Sequence, residues 1–223
     1  MSSLPERRKP AAAKRPGVRA LAAQATRESI LRAATKVFAR HGFDGGRVEQ
    51  ISRAAKSYDR MIYYYFGSKE GLFIAVLEEM YRRFNDAESK LVLDGVAPLD
   101  ALKDVIRFMW VHYQKHPEFI TLLNTENLHR GKHISKSLRA REYSSPAVSV
   151  LGEVLTSGAR QKLFRKDIAA RDVYLMIASM GYFYLSNRFT LSAFLGEALE
   201  TEEAIAHWEA FLIESVLRMV APT

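Results

Sequence analysis

The 223-residue sequence contains no cysteine, and this absence excludes several kinds of functional site. Disulfide scaffolds, cysteine-ligated zinc, iron–sulfur clusters and thiol nucleophiles all need a residue that the chain lacks. A chain without cysteine suits the reducing cytoplasm, which is where we expect the protein to act. Apolar residues make up 48% and charged residues 26%, a balance that predicts a folded protein with a hydrophobic core.

Long hydrophobic runs are also missing. The longest segment without a charged residue, 173–187, has 15 residues, whereas a membrane-spanning helix needs about 20 apolar ones. Basic residues interrupt the N-terminal region, so no secretory signal is predicted. A mitochondrial-type transit peptide shares its Arg and Ala richness and stays open as an alternative. We expect no membrane partner, although peripheral binding to anionic lipid remains a weaker alternative.

Positive charge is concentrated in the first third of the chain. Residues 1–70 hold 15 Lys/Arg and 6 Asp/Glu, whereas residues 71–223 hold 18 and 19. This distribution is typical of a module that binds polyanions, joined to a second, neutral part. Within the basic third, residues 1–25 are rich in proline and cations, which predicts a disordered arm. The arm either only aids solubility or lies along DNA phosphates or in a minor groove.

Apolar residues at helical spacing predict three helices after the arm. The first spans 26–41 and ends at Gly42, the second spans 47–55, and the third spans 58–65. Two short helices joined by a tight turn, after a supporting first helix, form a helix-turn-helix.

The third helix has an unusual outward face. On a helical wheel Ile62 and Phe66 lie on the apolar side, whereas Arg60, Tyr63 and Tyr64 lie opposite. Arginine can hydrogen-bond two acceptors of guanine, and tyrosine can reach a phosphate or pack on a thymine methyl group. The pattern therefore predicts that this face contacts double-stranded DNA.

The residue order across the three helices resembles the DNA-binding domain of TetR-family transcriptional regulators over residues 26–76. The residues that carry the resemblance are Phe38-x3-Gly42-Phe43, Val48-x2-Ile51-x2-Ala54-Ala55 and Ile62-Tyr63-Tyr64-Tyr65-Phe66-Gly67-Ser68-Lys69-Glu70-Gly71-Leu72. It implies an all-α homodimer. A DNA-binding domain, here residues 26–72, would precede a divergent helical C-terminal domain, here residues 73–223, which binds a small molecule and dimerises.

The same resemblance, carried over position by position, implies individual DNA contacts. The base-reading surface would consist of Asp59, Arg60, Tyr63, Tyr64 and Tyr65, and the phosphate contacts would come from Arg47, Tyr63 and Lys69. On the wheel Tyr65 faces the core side, although its phenol could reach a phosphate at the helix end. For Tyr58 a core position is the favoured interpretation.

The turn between the second and third helices departs from the family pattern. Where the family has Gly-Val-Ser, this chain has Lys56-Ser57-Tyr58, which implies a strained positive φ at Lys56. We expect Ser57 to cap the third helix, because tyrosine is a poor capping residue. Gly46 also stands where the family often has a capping threonine, so a phosphate contact there would come from the backbone or from Arg47.

The second half of the chain is predicted to be helical throughout. The last two helices are the most apolar, which suits either a buried core or, as in the family, a four-helix interface with a second copy. The predicted helices span 68–91, 98–116, 117–128, 146–163, 168–188 and 201–220.

A ligand pocket in this half would be lined by aromatic and polar residues of the middle helices, although such residues equally suit an ordinary helical core. The candidates are Trp110, Tyr113, Phe119, Leu123, Asn127, Tyr143, Tyr174 and Phe183.

Residues for catalysis or metal binding form no recognisable pattern. The pairs His112/His116 and His129/His133 have the i, i+4 spacing that can present two imidazoles to a metal. However, no acidic residue stands where a zinc hydrolase motif needs one, and no phosphate-binding Gly-rich loop or G-x-S-x-G motif is present. We therefore expect no enzyme, no cofactor and no metal.

These observations favour a dimeric repressor that binds a palindromic operator and is released by a small-molecule effector. The alternatives are an all-helical DNA-associated protein without an effector and, with less support, a helical enzyme whose basic N-terminus serves targeting.

Overall fold

The computed structural model describes residues 17–91, 93–139 and 146–222, with only the backbone described for Pro146 and Ala147. Within these ranges the chain forms nine α-helices, a short 3₁₀ helix at Ile134–Lys136 and no strand, which confirms the all-α prediction. None of the helices in these ranges is long and apolar enough to span a membrane. The helices are α1 Val18–Gly45, α2 Val48–Ala54, α3 Asp59–Phe66, α4 Lys69–Glu88, α5 Pro98–Lys115, α6 Pro117–Leu128, α7 Pro146–Arg160, α8 Ala170–Leu195 and α9 Glu202–Val220.

Helix α1 begins earlier than the sequence predicted. It starts at Val18 and not near Thr26, so the prediction of disorder is wrong for residues 18–25. These residues are exposed, and their Ala, Leu, Gln and Arg content favours helix without any packing. Residues 1–16 of the predicted arm lie outside the described residues. At the other end, Gly42 adopts a positive φ of 69° and interrupts the helical geometry, close to the predicted end.

The turn between α2 and α3 confirms one expectation and corrects another. Lys56 takes the predicted positive φ, at 51°. The prediction that Ser57 caps α3 is wrong, because Tyr58 occupies the N-cap with an extended backbone and no side-chain cap. The Ser57 N–H donates to the Ser52 carbonyl at 2.9 Å. The extended backbone before α3 therefore lies at Tyr58, one residue after Ser57.

Two glycines permit close approaches inside the N-terminal domain. A Cβ at Gly46 would lie 2.6 Å from a ring carbon of Phe38, which explains why no threonine stands there. A Cβ at Gly71 would lie 2.1 Å from the Phe66 carbonyl oxygen, so this glycine lets the end of α3 meet the start of α4. Ser68 caps α4 by accepting the Gly71 N–H at 2.9 Å.

Helix α4 connects the cores of the two domains. Near its start, Phe73 packs edge-on against Phe38 of α1, with 5.1 Å between ring centroids. Near its end, Phe84 lies 5.8 Å from the ring of Phe119 on α6. All four rings are buried. Both ends of α4 are therefore closely packed, and a movement of the helix would disturb the packing at both ends.

The loop after α6 also joins the domains. The buried Glu126 carboxylate accepts the backbone N–H groups of His133 and Ile134, at 2.8 and 2.9 Å, and lies 2.7 Å from Nδ1 of His133. The His133 ring in turn lies 4.4 Å from the Phe43 ring of α1. Glu126 thus holds this loop of the C-terminal domain against the N-terminal domain.

Candidate nucleic-acid interface and ligand pocket

Helix α3 is fixed by its apolar side. Ile62 is completely buried, and Met61, Tyr65 and Phe66 are half-buried against α1 and α4. The helix ends at Gly67, whose N–H donates to the Tyr63 carbonyl at 2.9 Å. The opposite side of the helix is therefore held in a defined orientation towards solvent.

The outward face of α3 carries the side chains that the helical wheel placed there. Arg60 is exposed, and Tyr63 and Tyr64 are 51% and 77% exposed. Asp59 is the first residue of α3 and half-buried. Its charge is favourable at the positive end of the helix dipole. The half-buried Tyr65 packs edge-to-face against Tyr64, with 5.0 Å between ring centroids.

Tyr58 is a member of this face that sequence reasoning missed. The expectation of a core position is wrong, because the side chain is 71% exposed. A helical wheel describes residues inside a helix, whereas Tyr58 stands at the N-cap, where the backbone is extended. From there its ring reaches the guanidinium of Arg60, whose Cζ lies 5.3 Å from the ring centroid.

The two predicted phosphate-contacting cations lie at the starts of α2 and α4, the helices that precede and follow α3 in the chain. Arg47 is the exposed N-cap residue of α2, and its N–H donates to the Gln50 side chain at 3.1 Å. Lys69 is half-buried at the start of α4, where Nζ donates to the Asp44 carbonyl oxygen at 3.2 Å and lies 4.8 Å from the centre of the Phe43 ring. An ammonium group has three donors, so Lys69 can keep this bond and still contact a phosphate.

The electrostatics of the face favour an anionic partner. Across the described ranges, Arg47, Arg60 and Lys69 pair with no carboxylate. Tyrosine hydroxyls and guanidinium groups can donate to phosphates and to base edges.

The candidate pocket residues divide between the core and the surface. Trp110, Tyr113 and Phe119 are buried, and the last two lie 5.5 Å apart between ring centroids. Tyr174 is half-buried near Tyr113, and burial first, then Tyr174, raises the pKa of the Tyr113 phenol. Of the remaining candidates, Leu123 is half-buried, Asn127 and Phe183 are exposed, and Tyr143 lies outside the described residues.

A small cavity lies where the two domains meet. It has a volume of about 30 Å³, room for about one water molecule. Burial, and after it the neighbouring His116, lowers the pKa of His112 on its wall to about 4. His112 is therefore uncharged at neutral pH. The lining residues are Thr35, Val76, Glu79, Met80, Arg83, His112, His116, Glu118 and Phe119.

The two histidine pairs are placed differently. The rings of His112 and His116 lie 4.4 Å apart, and those of His129 and His133 lie 5.1 Å apart. Over the residues that the structure describes, no group of three or more His, Asp or Glu side chains is placed to hold a metal ion.

Known proteins match both halves of the chain. Residues 30–76 match the family described as bacterial regulatory proteins, tetR family, and residues 98–216 match the tetracyclin repressor-like C-terminal domain. The HTH-type transcriptional repressor NicS of Pseudomonas putida is 54% identical over 202 residues, which cover 91% of this chain and 95% of NicS. The HTH-type transcriptional regulator RutR of Escherichia coli is 37% identical over 117 residues, 52% of this chain and 55% of RutR.

Solved structures share the fold at lower identity. The fatty acid degradation regulator FadR from Bacillus halodurans is 20% identical, with a TM-score of 0.66 over 92% of this chain and 97% of FadR. HlyIIR, a hemolysin II transcriptional regulator, is 22% identical, with a TM-score of 0.57 over 90% of this chain and 99% of HlyIIR.

Proposed function

Because the chain belongs to the TetR family of bacterial regulatory proteins, we propose that it is a repressor that binds a palindromic operator as a homodimer and is released by a small-molecule effector. The observation that carries this proposal is the outward face of α3, where Arg60, Tyr63 and Tyr64 are exposed. NicS, which is 54% identical, is a repressor. The role needs no catalysis and no cofactor, and it is exercised in the cytoplasm.

In this proposal α3 enters the major groove. Arg60 donates to the O6 and N7 acceptors of a guanine, and Asp59 accepts from a cytosine amino group. Tyr63, Tyr64 and Tyr65 contact bases or the adjoining backbone. Arg47, Lys69 and also Tyr63 contact phosphates, which set the register of the helix but carry no base preference. The DNA-binding domain comprises residues 26–72 and the regulatory domain residues 73–223.

The proposed dimer forms through residues 168–188 and 201–220. The single chain leaves large apolar side chains exposed on both segments, including Leu175, Phe183 and Phe211 at 53%, 55% and 46%. A second copy related by two-fold symmetry would cover them. It would also place the two α3 helices about 34–36 Å apart, so that they enter successive major grooves.

The proposed effector binds among the aromatic residues of the regulatory domain. The cavity at the domain junction is too small for an organic ligand, so an effector that binds there requires a more open conformation. Preferential binding to that conformation shifts the population away from the DNA-binding one. Phe119 of α6 lies in this core, and the end of the same helix contacts the DNA-binding domain. The proposed lining residues are Trp110, Tyr113, Phe119, Leu123, Asn127, Tyr143, Tyr174 and Phe183.

Selection of duplexes from a random pool tests the proposal as a whole. Full-length protein at low salt should enrich one sequence with two-fold symmetry and half-sites about ten base pairs apart. Small molecules can then be screened for release of that duplex. An unenriched pool would contradict DNA recognition, and a duplex that no small molecule releases would favour the alternative without an effector.

A further inference from the structure

Tyr58 stands at a position where folding alone disfavours tyrosine. It is the N-cap of α3, and no side chain accepts an N–H of the first turn. Serine, threonine, aspartate and asparagine stabilise helices there, because their short side chains can accept such a bond. The ring is also 71% exposed, so the fold gains little from its apolar surface. A residue that adds to stability neither as a cap nor by burial calls for an explanation in function.

The neighbour of the ring supplies that explanation. The Cζ atom of Arg60 lies 5.3 Å from the centroid of the Tyr58 ring, inside the range of a cation–π contact. Residues two positions apart inside a helix point in nearly opposite directions. The contact is possible because Tyr58 lies just outside the helix, where its extended backbone turns the ring towards Arg60.

A cation–π contact does not use the hydrogen-bond donors of a guanidinium. Where a guanidinium stacks on an aromatic ring, its flat face meets the ring and its N–H donors point outwards in the plane. Arg60 has no carboxylate partner across the described ranges. The contact therefore restricts a long, flexible side chain without using the donors that a guanine would need.

We propose that Tyr58 is a positioning residue that holds the Arg60 guanidinium ready for guanine, and so sets the base preference of α3. The inference rests on the proposed function, because it assigns Tyr58 a part in the same DNA-reading face. A guanidinium already ordered in the free protein loses less conformational freedom on binding. The gain appears only with the matching base, because a base lacking both guanine acceptors cannot use the oriented pair of donors.

Three substitutions at Tyr58 distinguish the effect of the aromatic ring from the effect of the N-cap side chain. Tyr58→Phe keeps the ring, Tyr58→Leu keeps bulk without an aromatic face, and Tyr58→Ser removes the ring and supplies a capping side chain. Each variant is titrated against the selected operator and against a duplex whose Arg60-dependent G·C pair is changed to A·T. Arg60→Ala and the double variant Tyr58→Ser/Arg60→Ala complete the set, and melting temperatures are measured for all.

The expected result is a loss of discrimination without a loss of folding. Wild type and Tyr58→Phe should prefer the G·C duplex by about tenfold or more. Tyr58→Leu and Tyr58→Ser should lose most of that preference, although Tyr58→Ser should melt at or above the wild-type temperature. The double variant should discriminate between the two duplexes as well as Arg60→Ala does, because the two substitutions remove the same interaction.

Wild-type discrimination in Tyr58→Ser and Tyr58→Leu, or full additivity in the double variant, would overturn the positioning role while leaving the DNA-binding proposal intact. The same discrimination in Arg60→Ala and wild type would overturn the Arg60 readout and the Tyr58 inference together. A wild-type protein that binds no duplex would contradict the proposed function itself.

Discussion

His129 joins the C-terminal domain to the DNA-binding domain through a contact with Asp44 that needs a protonated imidazole. Its Nδ1 lies 2.8 Å from the Thr125 carbonyl oxygen, and its Nε2 lies 3.2 Å from Oδ2 of Asp44. Both partners only accept hydrogen bonds, so both ring nitrogens must carry a proton. The bond to Thr125 and, after it, the bond to Asp44 raise the pKa of His129.

The His129 contact predicts a pH-dependent contribution to stability. A histidine whose pKa is raised on folding stabilises the folded protein. This contribution is fully present below the pKa of the unfolded chain, about 6.5, and is lost as the pH rises through the pKa of the folded state. Asp44→Asn should therefore destabilise the protein more at pH 6 than at pH 8.5. Because Asp44 is 84% exposed, the difference should be below about 1 kcal/mol.

Urea denaturation at the two pH values measures this difference in the free energy of unfolding. Asp94→Asn, at an exposed aspartate between α4 and α5, is the control and should change the free energy of unfolding equally at the two pH values. An equal effect of Asp44→Asn at both pH values would show that the imidazolium contact adds nothing.

The buried Glu126 carboxylate predicts a large effect of truncation. Glu126→Ala leaves the N–H groups of His133 and Ile134 and the His133 ring nitrogen without their acceptor, so we expect a loss of about 3–5 kcal/mol. Glu126→Gln keeps one acceptor oxygen and should cost less. Urea denaturation beside Glu153→Ala, at an exposed glutamate of α7, measures both. A similar small loss for Glu126→Ala and the control would contradict this role.

The two cations at helix starts should govern the salt dependence of DNA binding. Arg47→Ala and Lys69→Ala each remove one phosphate contact, so each should reduce the slope of log K against log salt by about one unit. Affinity should fall equally for the operator and for unrelated duplexes. Anisotropy titrations at several salt concentrations measure the slope, and Lys166→Ala, beyond α7, should leave it unchanged. A base-specific loss would reassign the residue to base readout.

The exposed apolar side chains of α8 and α9 should be the dimer contact. Phe183→Asp and Phe211→Asp would each bury two charges at a two-fold interface, so both variants should be monomeric at micromolar concentration. Leu128→Asp, at an 83% exposed residue of α6, should stay dimeric. Analytical ultracentrifugation gives the mass, and a dimeric Phe183→Asp protein would place the interface elsewhere.

Local patterns predicted most helices, because helical spacing of apolar residues records which side of each helix is buried. The orientation of Arg60, Tyr63 and Tyr64 followed from that spacing alone. Tyr58 did not, because its direction depends on an extended backbone that periodicity does not describe. The early start of α1 was missed because exposed residues of high helix propensity leave no apolar stripe.

The candidate pocket was harder to predict for a different reason. Spacing shows that Phe183 lies on an apolar side of its helix, but it does not show whether that side meets the same chain or a second copy. In the single chain Phe183 is exposed, whereas Tyr113 and Phe119 pack together. Which residues surround a shared space depends on how distant helices pack, and helix periodicity does not encode this.

The affinity of Arg60→Ala for the selected operator tests the central claim most directly. Fluorescence anisotropy should show a loss of about tenfold or more, with preference relaxed at one symmetric pair of base pairs. Arg160→Ala, which removes the same charge from an exposed site at the end of α7, should bind as wild type does. Unchanged operator affinity and base preference in Arg60→Ala would show that the outward face of α3 does not read DNA.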